Sequence, residues 1–529
     1  MIKMKKIVTI GLLLLLGTSA MAQSSVKGYV FEDRNGNGRK ERREKGIAGV
    51  SVSNGMDVVQ TDAKGRYELP LGDDNTIFVI KPAGYKVPVD KQYIPQYFHH
   101  HKPGGKSKDF KYPGVPATGR LPKSVNFGLT KYDEPSTFSV ILFGDPQPYN
   151  DDEVNYFGRS VIDRVVKKDD TLFGISLGDI VGDTLPLNTG YKHQLSALRL
   201  PWYHVIGNHD HNYDAPNEIL ADERFELEYG LANTAFNYGN AHFILLDDIR
   251  YPNPNGGRGY TAGYREDQLE FVKNNLRFVP KDKLIIVAQH IQLQNTAPND
   301  KPFGDESERQ QLLDLLQDYE RVLFLSGHTH FQMQLPITAE HGWKGKNPIW
   351  EFNVGTTSGD WYSGELDADG LPDALMRDGT PQGYAYLNID NVQYDLEYRV
   401  AGAPEDYQID LFIPKTVHYK GRSNYHFTAN FFMGEASDNV EYRIDGGKWR
   451  KMSHTMMQDP ALTEIVMKWD TTTEVLPGRR PSSPIISSHI WVGRLDKSLA
   501  PGVHEVEVRA TDRFGKTHTA KGHYTTVAR

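Results

Sequence analysis

The sequence predicts an α/β layered domain set between two all-β units. Three observations carry this. Apolar strand segments alternate with helical patterns from residue 136 to 395; short turn-separated strands fill residues 24 to 130; strand signals return from 400 to 529. The 529 residues are too many for one core, and 38% apolar with 11% aromatic content suits packed domains.

Residues 1–22 read as an export signal. Lys3, Lys5 and Lys6 precede the apolar run from Ile7 to Leu16, and Ala20-Met21-Ala22 fits the small-x-small cleavage rule, with Gln23 as the new start. The run is about ten residues, short of the ~20 that span a bilayer. The mature chain is therefore expected to be periplasmic or secreted, with no transmembrane segment.

From 24 to 130 the chain reads as a small β-sandwich followed by a linker. Val26 to Phe31 alternates, and Val50 to Val52, Gly65 to Leu69 and Thr76 to Ile80 add short strands. Asp33, Asn35, Asn37 and Glu44 match the spacing of a calcium-binding loop, although strand sequence precedes them where a helix is usual; a plain Asn-Gly turn is the alternative. His99-His100-His101 reads as a solvated loop, and Pro103 to Pro122 as a linker or irregular meander.

From 136 to 395 the strands Phe138–Phe143, Leu172–Leu177, Trp202–Ile206, Phe243–Leu246, Leu284–Ala288 and Val322–Leu325 alternate with helical patterns such as Tyr264 to Leu276. From 400 to 529 Asn439–Ile444 and the cleanly alternating His504–Ala510 suggest a second β-sandwich, of fibronectin or immunoglobulin type.

Net charge is −8 and the sequence pI is about 6.2, so a nucleic-acid partner is not expected. There are no cysteines, which excludes disulfides, thiolate metal sites and a cysteine nucleophile.

Five motifs end predicted strands of the central unit: Gly144-Asp145-Pro146-Gln147, Gly178-Asp179-Ile180-Val181-Gly182-Asp183, Gly207-Asn208-His209-Asp210, the lone His290, and Gly327-His328-Thr329-His330. Each alone is an ordinary turn or core histidine. Together they offer carboxylates, imidazoles and amides, the donors that suit Mn, Fe or Zn. A carboxylate shared by two cations, ~3.5–4 Å apart, is the arrangement that acidifies water and clamps an in-line displacement at phosphorus.

The ordered set resembles the calcineurin-like metallophosphoesterase superfamily, whose pattern is D-x-H, G-D-x-x-D, G-N-H-[ED], H and G-H-x-H; the flanking β units resemble an exported subgroup. The resemblance covers about residues 138 to 360. It implies a central β-sandwich flanked by helices and two divalent or trivalent metal ions. Asp145, Gln147, Asp179 and His330 would hold one, with Asp179 bridging to a second completed by Asn208, His290 and His328. It also implies His209 as the proton donor to the leaving oxygen, with Asp210 orienting its ring. Gln147 departs from the family's histidine, so metal preference should shift, and its ligation is an open alternative. Asp183 is expected to support the loop from behind the ligands. The stretch Asn353 to Tyr362 is a candidate pocket wall, with Trp361 and Tyr362 either stacking on substrate or packing beneath.

The expected activity is hydrolysis of a phosphomonoester or phosphodiester, small or glycan-linked. The alternative is a non-catalytic glycan- or cell-wall-binding protein with a degenerate centre, which Gln147 alone favours.

Overall fold

Strand Thr137–Phe143 is buried along both faces, and its alternate side chains enter two different cores. Phe138, Val140 and Leu142 join Phe173, Phe236 and Phe243 between two sheets, where the Phe173 and Phe243 rings lie 5.3 Å apart. Ile141 and Phe143 face the other way, toward Phe157, Tyr191 and Trp202. Strands covered on both sides must be apolar throughout, which is why they read as continuous apolar runs. The computed structural model describes residues 24–254, 256, 259–294, 303–304 and 306–528; the predicted signal at residues 1–22 lies outside them.

The first central sheet runs Trp202–Val205, Thr171–Leu177, Thr137–Phe143, Gly383–Asp390, Gln393–Val400, and its first three strands are parallel. The second runs Thr234–Tyr238, Ala241–Leu245, Leu284–Ala288, Arg321–Ser326, Ile349–Asn353, Met333–Ile337, with four parallel strands in the middle. The motif-bearing turns follow the C-terminal ends of the parallel strands, where loops of open α/β sheets gather ligands.

Residues before this domain form two four-stranded sheets, and those after it form a four-stranded and a five-stranded sheet. Three details differ from expectation. Phe98–His101 is a strand paired with Asn75–Val79, with His101 buried, because the ladder supplies its backbone partners. The Pro103–Pro122 segment packs on the central domain: Lys111 N donates to Asp214 Oδ2 (2.7 Å), and Tyr112 O accepts from Asn212 Nδ2 (3.0 Å). The C-terminal unit contains a helix, Pro460–Thr471, opened by the Asp459 side chain accepting from Leu462 N and by proline at its start.

The units are bonded to one another. Lys81 Nζ, fully buried, reaches Glu134 Oε1 at 2.6 Å and Asn237 O at 2.6 Å. On the far side Gly364–Glu365 pairs antiparallel with Gly478–Arg479, so a C-terminal segment is laced onto a loop of the central domain.

Candidate metal centre

Four side chains from four strand ends converge. His290 Nε2 lies 3.2 Å from Asp179 Oδ2, 3.2 Å from Asn208 Oδ1 and 3.2 Å from His328 Nδ1. Asp145 closes the group: its carboxylate accepts from His328 N (3.0 Å), and its Oδ1 lies 3.7 Å from His330 Nε2. All but His328 are buried.

The backbone is bent to aim them. Asp145, Gln147, Asp179, His328 and His330 all have left-handed φ, between 37° and 72°. Non-glycine residues enter that region at a cost, and such strain concentrates at functional sites. Gly178 makes room at φ 89°, since a Cβ there would lie 2.3 Å from the His290 ring.

The donor set fits cations by its chemistry. His290 Nδ1 donates to Leu177 O at 2.8 Å, which turns Nε2 toward the cluster. Burial pushes the Asp145 carboxyl up to about 8, a sign that the pocket wants positive charge. Burial opposes a proton on His290, yet Asp179 overrides it and drives His290 up to about 10. A cation would displace that proton and take its place beside Asp179. His328 and His330 are held neutral by burial, at about 3 and about 4, the form in which imidazole ligates.

At two candidate residues the geometry differs from the one expected. Gln147 turns its amide nitrogen toward Asp179 Oδ2 (3.3 Å), while its oxygen accepts from Trp361 Nε1 (2.6 Å). Indole is donor-only, so it fixes which end of the amide is oxygen, and in this arrangement the Gln147 nitrogen faces Asp179. Asp210 does not orient the His209 ring. Its carboxylate accepts from Ile180 N (3.0 Å), Val181 N (3.2 Å) and Gly207 N (2.9 Å), tying two motif loops together. The ring's partner is Asp183, whose Oδ1 accepts from His209 Nδ1 at 2.8 Å. Burial works against a charged His209, but Asp179 and the Asp183 hydrogen bond push it up to about 9.

The Asn353–Tyr362 stretch clamps the first motif. Ser358 Oγ donates to Asp145 O (2.7 Å), and Tyr362, buried, donates to Pro146 O (2.5 Å). Tyr362 thus packs beneath the loop, whereas Trp361 stands against His330, ring centroids 4.6 Å apart.

Sequence reasoning missed Asp248, which accepts from His290 N (3.1 Å) and Ile291 N (2.9 Å) and so pins the lone-histidine loop. Its signal was the Asp247-Asp248 pair just after strand Ala241–Leu245. Tyr149 also stands at the site, its ring 5.9 Å from that of His209. A cleft of about 630 Å³ opens beside His209, lined among others by Lys111, Tyr112, Tyr213 and Tyr260. The expected linker is therefore part of the site's rim.

Two other groups lie apart from this centre. His211, Asp222 and Asp247 are buried together, with Arg265 Nη1 3.6 Å from both carboxylates, so a guanidinium already balances their charge. In the candidate calcium loop Asp33 and Glu44 are buried and spend their oxygens on Gly36, Gly38, Arg34 and Glu41 amides, while Asn35 and Asn37 are exposed.

Fold and donor set define a metal-dependent phosphoesterase. Family models for the calcineurin-like phosphoesterase match residues 138–332, for its N-terminal part residues 34–114, and for its C-terminal part residues 351–518. The chain belongs to the calcineurin-like phosphoesterases, with the N- and C-terminal domains that accompany them. No curated protein matches it. Among solved structures, a purple acid phosphatase from yellow lupin (Lupinus luteus) seeds is 14% identical, with 67% of each chain covered and a TM-score of 0.36, a likeness too slight to argue from.

Proposed function

We propose that the protein is an exported hydrolase of phosphate esters that works with two metal ions. The reading rests on one observation: Asp179 Oδ2, Asn208 Oδ1, His290 Nε2 and His328 Nδ1 meet from four separate strand ends. Asp179 would be the shared carboxylate; Asp145 and His330 would complete one site, and Asn208, His290 and His328 the other. When bound, the ions supply Lewis-acid activation of water and of the phosphate oxygens.

The chain's own residues do the rest. Asp183 holds His209 Nδ1, so the Nε2 proton is presented to the leaving oxygen. Gln147 Nε2 stands beside Asp179 as a donor that positions phosphate oxygens, and the Tyr149 hydroxyl accepts from that same nitrogen at 3.4 Å. Export is supported by the charged, apolar and small-residue succession at residues 3–22. Among the described residues no helix is long and apolar enough to cross a membrane.

The test is metal content and hydrolysis of nitrophenyl phosphate in purified protein and in Asp179→Asn. Expected are two ions per chain and turnover, both lost in the variant. Turnover that persists after chelation and dialysis would overturn the proposal.

A further inference from the structure

The cleft beside His209 is walled by tyrosines from separate parts of the chain. Tyr112 comes from the segment ahead of the central domain, where Asn212 Nδ2 holds its carbonyl at 3.0 Å. Tyr213 follows the third motif. Tyr251 directly follows strand Ile249–Arg250, and Tyr260 directly precedes its antiparallel partner Thr261–Ala262. All four keep surface in solvent, Tyr213 the most at 36%.

Two of these rings are fixed by their hydroxyls. Tyr213 donates to Asn208 O and Tyr251 to Tyr213 O, each at 2.5 Å. Those hydroxyls are spent on backbone, so the pair offers the cleft ring carbon, with centroids 4.8 Å apart and planes at 71°. Tyr260 links the cleft to the metal centre: its ring centroid lies 6.5 Å from that of His328. The exposed polar side chains of the lining already have partners. Asp183 holds His209, Asp214 Oδ2 accepts from Lys111 N at 2.7 Å, and Lys111 Nζ lies 4.6 Å from the centre of the Tyr112 ring.

His209 lines this cleft, so a group attached to the oxygen that His209 protonates lies in it. Three kinds of leaving group compete. One bearing a second phosphate would meet Lys111 but also two exposed carboxylates, Asp183 and Asp214. A sugar or small polyol needs polar partners around its edge, where the cleft presents tyrosine rings. A flat aromatic ring covers those rings, edge-to-face or offset-stacked. The volume of about 630 Å³ is in the range of ligand sites and leaves room for a ring and its linker. We propose that the cleft receives the leaving group of the ester and selects leaving groups that carry a flat aromatic ring, an aryl group or a nucleobase. The inference rests on the phosphoesterase reading above and narrows its substrate class.

The test compares two pairs of esters on the full-length protein loaded with Mn: benzyl phosphate against cyclohexylmethyl phosphate, and adenosine monophosphate against ribose phosphate. Each pair leaves as a primary alcohol, so the ratio within a pair reads ring recognition and cancels any loss at the metal centre that both esters share. Benzyl phosphate should lead its partner about three- to tenfold in kcat/KM, mainly through KM, the scale of one aromatic contact. A lead confined to the first pair assigns an aryl group, and a lead in the second a nucleobase; either upholds the proposal. Ratios near one in both pairs overturn it, and so does a preference for ribose phosphate, which marks a sugar site. Tyr213→Leu and Tyr260→Leu should each bring the ratio toward one, whereas Tyr213→Phe, which keeps the ring, should retain it. A ratio that survives both leucine variants overturns the proposal, and the wild-type ratios decide where a variant fails to fold. If none of the esters is turned over, the hydrolase reading fails by itself. Calorimetric binding of benzylphosphonate tighter than that of cyclohexylmethylphosphonate then upholds the cleft's selectivity, and equal binding removes it.

Discussion

Asp183 Oδ1 lies 2.8 Å from His209 Nδ1, so the last acidic residue of the second motif, and not the neighbouring Asp210, grips the His209 ring. Asp210 is occupied three amides deep in loop closure. The two carboxylates therefore have separable duties, one protonic and one architectural.

The pair sets an alkaline limit. A proton donor must be charged to act, so activity falls as pH rises through its pKa, and Asp183 contributes to pushing His209 up to about 9. Asp183→Asn lowers that pKa, and the fall in kcat/KM should move to lower pH. His209→Ala should cost roughly 10²–10⁴-fold in kcat with esters of poor leaving groups, and much less with nitrophenyl phosphate, whose leaving group needs little help. An unmoved alkaline limb in Asp183→Asn would show that another group titrates.

Gln147 is expected to spare metal content. Gln147→Ala should retain both ions by elemental analysis while raising KM, because its amide nitrogen, not its oxygen, faces Asp179. Loss of one ion would instead restore Gln147 to the ligands. Trp361→Phe frees the amide to flip and should therefore give part of the same rise in KM.

Asp248 acts through His290. Removing a group that orients a ligand histidine costs roughly 10–100-fold in metal affinity; Asp248 holds the His290 backbone and not the ring, whose Nδ1 partner is Leu177 O, so Asp248→Ala should weaken Mn binding toward the lower end of that range by calorimetry. Added Mn should recover its kcat, which distinguishes positioning from chemistry.

The Lys81–Glu134 pair secures the seam between the N-terminal and central domains: Lys81 Nζ also donates to Asn237 O (2.6 Å), Glu134 also accepts from Gly239 N (2.9 Å), and both side chains are nearly inaccessible. Leaving one buried charge alone costs on the order of 3–5 kcal/mol. Lys81→Met should therefore lower the unfolding midpoint clearly in a calorimetric scan. Lys81→Met combined with Glu134→Leu should recover much of the loss. If the double variant is no more stable than the single, the pair is not what holds that seam.

Much was legible in the sequence. The layered centre showed in the apolar runs, because parallel strands covered on both faces carry no polar alternation, and the ligand candidates showed as Gly-flanked acids, amides and histidines at strand ends. The helix at Pro460 was equally written, in Asp459-Pro460, yet it was submerged by the β signals around it. His99 to His101 read as a loop because three polar residues in a row do not reveal that a ladder will bury the last of them.

What the sequence by itself determined is the inventory: which donors exist, in what order, and that no thiol competes with them. Only the tertiary structure decided how those donors are used. Trp361 meets Gln147 across 214 positions and settles which end of the amide faces Asp179. Arg479 reaches the Trp361 loop across 118 positions and ties the C-terminal domain to it. Local spacing specifies turns and strands, because those depend on neighbouring dihedrals and hydrogen bonds. Contacts between distant segments depend on how whole sheets pack, and a motif does not record that.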